Sequence, residues 1–214
     1  MAAAEKFQLE FLKKPENWSI VENAKYYYFG SFFLTHDGGY ASALAVSEHA
    51  AKENKTFGLN LSAPFLSQFF KERLDAIIKN ADLLFGNEDE ARTYSTAAGW
   101  GTDDVKEIAK KLAQLPKGNA RPRTVVITQG ADETVVAVGD AVSVFPVTKV
   151  EDKDIVDTNG AGDAFCGGFM GLFAQGIEDA PRCVAAGHYI ASLCIKQVGP
   201  TFPKVGEREA IPNF

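Results

Sequence analysis

One carboxylate in this chain stands where it could move a proton. Asp163 closes the glycine turn of the run Asp157-Thr158-Asn159-Gly160-Ala161-Gly162-Asp163-Ala164-Phe165. Two glycines around a small alanine expose several backbone N–H groups without side-chain obstruction. A helix starting there adds the positive end of its dipole, so the turn suits an anion. The segment ahead of it, Lys153 to Val156, reads as strand. The segment behind it, Gly167 to Gln175, reads as helix, with Phe165, Phe169, Leu172 and Phe173 on one side. Asp163 then falls in the first helical turn beside the anion, where a carboxylate can accept a proton from an incoming hydroxyl. The competing explanation is structural: many helices open on Gly-x-Gly, and an Asp in the first turn often only complements the dipole. No Gly-x-x-x-x-Gly-Lys-Ser/Thr occurs, so the turn is not a P-loop.

Four other groups of residues could carry chemistry, and each has a plain alternative. Asn87 and Glu90 open a helix at the spacing of an N-cap and its capping-box partner. Thr128-Gln129-Gly130 is a strand-end turn that uses glycine for its backbone angle. His188, one of three histidines, has no metal-ligand spacing around it and reads by itself as a satisfied core or surface histidine. Phe33 and Phe65 each follow a predicted strand, where aromatics are ordinarily core.

The elements that must position these residues alternate. Short helices are predicted over 3–13 and 16–24. Lys25 to Leu34, Thr56 to Leu61, Asp82 to Phe85 and Thr124 to Thr128 read as buried strands. Between them lie helical patterns over Tyr40 to Asn54, Phe65 to Asn80, Glu88 to Ala98 and Val105 to Leu115, with Gly38-Gly39 as a breaker and Pro116 to Arg123 as a loop. Thr134 to Val138 and Ala141 to Val147 form a hairpin around Gly139-Asp140. Ala180 to Gln197 is the last helix, and the tail from Pro203 to Phe214 is loop-like. Strand–helix alternation implies an α/β fold with a mostly parallel sheet covered by helices on both faces, in which ligands bind at the carboxyl ends of the strands. With no internal repeat or linker, 1–214 reads as a single domain.

Composition narrows the class of function. A chain of 214 residues with 46% hydrophobic and 23% charged residues supports one sizeable core. The net charge of -6 and the lack of a basic stripe argue against nucleic acid as a partner. No apolar run spans a bilayer, and the N-terminus lacks the apolar core of a signal peptide. Cys166, Cys183 and Cys194 form no Cys-x-x-Cys and are odd in number, which points to buried free thiols in a reducing compartment and to the cytosol.

The full run from Asp157 to Phe165 resembles the signature of the ribokinase-like family of sugar and nucleoside kinases. Asn159 and its surroundings are most similar to the adenosine-phosphorylating members. The resemblance implies a three-layer αβα sandwich and phosphorylation of the 5′-hydroxyl of adenosine by ATP, giving AMP in purine salvage. It makes Asp163 the general base and Gly160, Ala161 and Gly162 the anion hole. It also implies that Asn87 and Glu90 organise Mg²⁺ through water, together with the ATP phosphates. Thr128, Gly130 and Asn159 then belong to the ATP site, and Ala186-Gly187-His188-Tyr189 looks like the helix that lines the ATP base pocket. Gly30-Ser31-Phe32-Phe33-Leu34-Thr35 and Asn60-Leu61-Ser62-Ala63-Pro64-Phe65 resemble the segments whose aromatics pack on the nucleoside base. That assigns Phe33 and Phe65 to the substrate. Small molecules are the implied partners, with a monomeric full-length enzyme in the cytosol and nuclear residence compatible with the family.

The resemblance covers nearly the whole chain but only the C-terminal part of the family's fold. The family's N-terminal portion, with its lid and its Gly-Gly segment gripping the ribose, has no counterpart, since Gly38-Gly39 follows the aromatic strand. The chain by itself is therefore expected to be weakly active or inactive and prone to aggregate through an exposed apolar edge. Two rivals stand beside this expectation. One is a kinase of the same family acting on a sugar or another nucleoside. The other is a non-catalytic nucleotide-binding or interaction protein built on the truncated fold.

Overall fold

The structure is a computed structural model and describes residues 5–204. The first residues of the helix expected over 3–13 and most of the loop-like tail lie outside those residues. Helices α1 (Leu9–Leu12) and α2 (Pro15–Asn23) precede strand β1 (Tyr26–Gly30). Then follow α3 (Asp37–Lys52), β2 (Thr56–Asn60), α4 (Pro64–Phe69), α5 (Lys71–Ile78), β3 (Leu83–Asn87), α6 (Glu88–Ala97) and α7 (Val105–Gln114). Strands β4 (Thr124–Gln129), β5 (Asp132–Val138) and β6 (Ala141–Phe145) lead to α8 (Ala161–Phe173) and α9 (Ala180–Cys194). The six strands form one sheet in sequence order. β1, β2 and β3 pair in parallel, with Gly30 opposite Asn60 and Asn60 opposite Phe85. The two-residue links between β4 and β5 and between β5 and β6 make those neighbours antiparallel. This is the expected α/β architecture with a mostly parallel sheet. No helix among the described residues is long and apolar enough to cross a membrane.

The chain packs as two compact units. One holds the described residues up to Ile127 together with Val135–Ser143. The other holds Thr128–Thr134 together with the residues from Val144 onward. The first unit carries the large core, where Phe57, Leu59 and Leu61 of the β2 segment meet Leu74, Ile77, Ile108 and Leu112 from the helices. All five residues of β2 are buried, as expected of a central parallel strand clothed on both faces. In the second unit α8 and α9 cross closely. A Cβ on Gly187 would lie 2.7 Å from the Phe165 ring, so only glycine admits this approach.

Four elements differ from the sequence reading. The aromatic strand stops at Gly30, and Ser31–Thr35 coils into a 3₁₀ helix. The turn is tied across to the next strand: the Ser31 hydroxyl donates to the Asn60 carbonyl, and the Ser31 N–H donates to Ser62 Oγ at 2.8 Å. Gly38-Gly39 does not break a helix but sits in the first turn of α3. Their missing side chains let the turn close on Phe7 and Phe33, since a Cβ on either would lie 2.0 Å from a backbone oxygen. The single helix expected over 65–80 is two, α4 and α5, separated at Phe70, whose φ of −125° and ψ of 22° interrupt the helical run. Lys153 to Val156 forms no strand. Asp152–Asp154 is a 3₁₀ turn, and the Val156 N–H is satisfied by the Ile195 carbonyl at 2.8 Å rather than by a ladder.

Candidate active site

Four candidate residues stand at or past the carboxyl ends of three adjacent parallel strands in the first unit, where such sheets bind ligands. After β3, Asn87 caps α6 and forms the full capping box. Asn87 Oδ1 accepts from the Glu90 N–H at 2.9 Å, and Glu90 Oε2 accepts from the Asn87 N–H at 3.0 Å. Glu90 Oε1 also accepts from Asn87 Nδ2 at 3.2 Å. Glu90 is only 5% exposed, and a Cβ on Gly86 would lie 3.2 Å from its Oε2, so the strand end leaves room for the carboxylate. The capping explanation is thus realised in full, which is a structural role in its own right. Carboxylate and amide oxygens are hard donors. The donor set therefore suits a hard cation held through water, whereas a direct bond would compete with the cap. Among the described residues no group of three or more His, Cys, Asp or Glu is gathered for a metal.

After β1 and β2 the aromatics are arranged differently from the sequence reading. Phe65, at the start of α4, meets Phe32, not Phe33: their rings lie 5.5 Å apart, edge to face. Phe32 is 45% exposed, while Phe33 packs inward against Phe7, Phe29 and His36. Two adjacent phenylalanines in a 3₁₀ turn point apart, and composition alone could not say which one turned outward. Ser62, with φ of 68°, holds the turn ahead of Phe65, and its N–H donates to Asn60 Oδ1 at 2.9 Å.

The second unit contains the glycine turn. Gly160 has φ of 81°, a left-handed conformation that favours glycine, and it is the N-cap of α8. A Cβ there would also strike Pro200 at 2.6 Å. The Ala161 N–H turns back onto the Thr158 carbonyl at 3.2 Å. Gly162 and Asp163 lie in the first turn of α8, where backbone N–H groups have no partner within the helix. Asp163 is exposed in this first turn and lines an open cavity of about 600 Å³ with Gly160, Gly167, Tyr189, Cys194 and Pro200. Asp157, the first residue of the motif, is bound at both carboxylate oxygens. Its Oδ1 accepts from the Asn159 N–H at 2.9 Å and its Oδ2 from the Gly199 N–H at 3.0 Å, and these two bonds hold its carboxyl below the usual range. Asn159 contributes backbone to this arrangement: its carbonyl faces the Cys194 thiol at 3.7 Å.

Gly130, with φ of 59°, forms the turn after β4 that its alternative explanation required, and Thr128 is half-buried in the strand just ahead of it. His188 Nε2 lies 2.8 Å from Thr134 Oγ1, and its ring is 5.5 Å from that of Phe165. Burial pushes the imidazole pKa down, so His188 is neutral near pH 7. All three cysteines are free and buried, as the sequence implied. Burial pushes the Cys183 thiol up to about 11, and burial with the nearby carboxylates of Asp157 and Asp163 raises that of Cys194.

Comparison with known proteins identifies the family of the chain. The profile of the pfkB family of carbohydrate kinases matches residues 1–205. Adenosine kinase 1 of Arabidopsis thaliana is 49% identical over 207 residues, which cover 95% of this chain and 59% of that protein. Adenosine kinase of Schizosaccharomyces pombe is 43% identical, covering 99% of this chain and 62% of its own length. Among solved structures, Anopheles gambiae adenosine kinase in complex with P1,P4-di(adenosine-5) tetraphosphate superposes with a TM-score of 0.87 at 39% identity. It covers 94% of this chain and 60% of that one. Schistosoma mansoni adenosine kinase in complex with 2-fluoroadenosine gives 0.88 at 33% identity, with 93% and 58% covered. The chain thus spans about three-fifths of the length of these relatives.

Proposed function

Because the chain belongs to the pfkB family of carbohydrate kinases, we propose that it serves an ATP-dependent phosphorylation of the adenosine 5′-hydroxyl, yielding AMP and ADP. The observation that carries this reading is the Gly160 turn, which presents the exposed Asp163 carboxylate beside the open N–H groups of its own helix start. Asp163 takes the proton of the 5′-hydroxyl as that oxygen attacks the γ-phosphorus. The new O–P bond forms as the bond to the ADP oxygen breaks, and the proton stays on the carboxylate. The Gly162 and Asp163 N–H groups, with the helix dipole behind them, stabilise the charge on the transferring group. Gly160 and Ala161 shape the turn, and the Ala161 N–H joins the donors when it leaves the Thr158 carbonyl.

Thr128, Gly130 and the Asn159 backbone are assigned to ATP. The neutral His188 is assigned to the wall of the base pocket, where it offers an apolar face rather than a charge. Asn87 and Glu90 would hold Mg²⁺ through water, since their oxygens are the hard donors such an ion takes. The ion supplies neutralisation of phosphate charge when bound. For the nucleoside base the reading assigns Phe65 with Phe32 in place of Phe33, since the exposed Phe32 ring meets the half-buried Phe65 and the two offer a purine an apolar surface. The same reading treats 1–214 as one incomplete kinase domain, belonging to an enzyme that is monomeric at full length and cytosolic.

The test is Asp163→Asn. The variant is expected to bind ATP as the parent does and to transfer phosphate to adenosine at least about a thousandfold more slowly, the scale of losing a general base. Near-parental turnover by the variant would sink the assignment. A panel of sugars and nucleosides run beside adenosine decides the acceptor.

A further inference from the structure

The anion turn is anchored from a part of the chain that the kinase signature does not include. We propose that Asp157 is a positioning residue that latches the glycine turn to the segment following α9, and that this latch sets the turn's grip on the ATP phosphates. The inference rests on the kinase reading for its consequence, not for its geometry.

The Asp157 carboxylate uses both oxygens on backbone donors from two places. Oδ1 takes the Asn159 N–H at 2.9 Å, immediately before the Gly160 cap, and Oδ2 takes the Gly199 N–H at 3.0 Å. The backbone adds a second seam. The N–H groups of Val156 and Asp157 both reach the Ile195 carbonyl, at 2.8 and 3.2 Å. Packing closes the third side. Pro200 lies against Gly160 so tightly that a Cβ would approach it to 2.6 Å, and the buried Cys194 thiol sits under the Asn159 carbonyl. Asn159 and Gly160 are thereby held from below by Cys194, from the side by Pro200 and from behind by Asp157. No strand precedes the turn to stiffen it, because 152–156 lacks a ladder. The carboxylate substitutes for that missing support. Charge-assisted hydrogen bonds to backbone N–H groups are stronger than neutral ones, so a single side chain can set the turn's conformation.

The experiment compares the chain with Asp157→Ala and Asp157→Asn. Asparagine keeps an acceptor for one of the two N–H groups and presents a donor to the other, so it should give an intermediate result. Hydrogen–deuterium exchange is followed in peptides spanning 158–163, together with peptide-resolved labelling of Cys194 by N-ethylmaleimide and titration with ATP. In the alanine variant exchange in the turn and labelling of Cys194 should each rise about tenfold or more, because both charge-assisted bonds are lost. The rest of α8 and α9 should exchange as in the parent, and ATP should bind more weakly. Unchanged exchange and labelling in both variants would overturn the latch. So would a uniform rise across both helices, which would mean a general loss of stability. If the parent chain binds no ATP, the kinase reading fails, yet exchange and labelling still decide the latch.

Discussion

The two neighbouring phenylalanines after β1 show how much one side chain's direction decides. Phe33 fills space between Phe7, Phe29 and His36, so Phe33→Ala should lower stability by about 3 kcal/mol, the scale of emptying a packed aromatic site. Phe32 is half in solvent, so Phe32→Ala should change stability by less than about 1 kcal/mol while weakening adenosine binding. Urea denaturation and nucleoside titration on the two variants separate the roles, and the reverse pattern would return the substrate contact to Phe33. His188 offers a pH test. Burial lowers its folded-state pKa below the unfolded value of about 6.5, so the unfolded chain binds the extra proton as pH falls. Its contribution to stability is therefore present at pH 7.5 and declines below about pH 6.5. The melting temperature should fall between pH 7.5 and 5, and His188→Gln should flatten that slope. Asp157 acts in the other range. Its depressed pKa means its support is intact above about pH 4 and is lost only as pH drops through the folded value.

At the scale of elements, several ends meet on one buried cation. Arg123, only 1% exposed, donates to the carbonyls of Ile78, Ala81, Leu112, Leu115 and Pro116. Helices leave their last carbonyls without internal partners and carry a negative dipole end there, so one guanidinium serves the ends of both α5 and α7. Burial lowers its pKa to about 10, which still leaves it charged at neutral pH. Arg123→Met should cost about 3 kcal/mol or more, because buried carbonyls lose their donor. Thermal or urea unfolding checks this, and a stability within about 0.5 kcal/mol of the parent would refute it. The crossing of α8 and α9 is as exacting. Gly187→Val should force the helices apart at the Phe165 ring and lower the melting temperature.

For the whole molecule the decisive quantity is how much positioning the chain supplies. Phosphoryl transfer depends on alignment and preorganised charge more than on covalent chemistry. The chain spans 59% of Arabidopsis thaliana adenosine kinase 1. Within it the Gly160 turn is the part whose alignment a substitution can test: Gly160→Val forces a β-carbon against Pro200 and should weaken ATP binding about tenfold or more. Isothermal titration with ATP checks this, and unchanged affinity would show that the turn's alignment is not what holds the phosphates.

Much of this was legible in the sequence because it rests on local chemistry. Gly160-Ala161-Gly162-Asp163 marked a tight turn opening a helix, and Asn87 with Glu90 stood at the spacing of a capping box. The alternation of apolar runs through 25–128 carried the order of strands and helices in the same way. Backbone angles, hydrogen-bond reach and hydrophobic period act within a few residues, so the residues themselves state them. What only the tertiary structure decided were contacts between distant parts of the chain. Phe32 rather than Phe33 meets Phe65, Gly38-Gly39 opens a helix because Phe7 and Phe33 press on it, and Val156 bonds to Ile195 instead of joining a sheet. Asp157 belongs with these, since its second partner lies 42 residues away. Such choices depend on which groups compete for the same space and the same donor, and that competition exists only once the chain is folded.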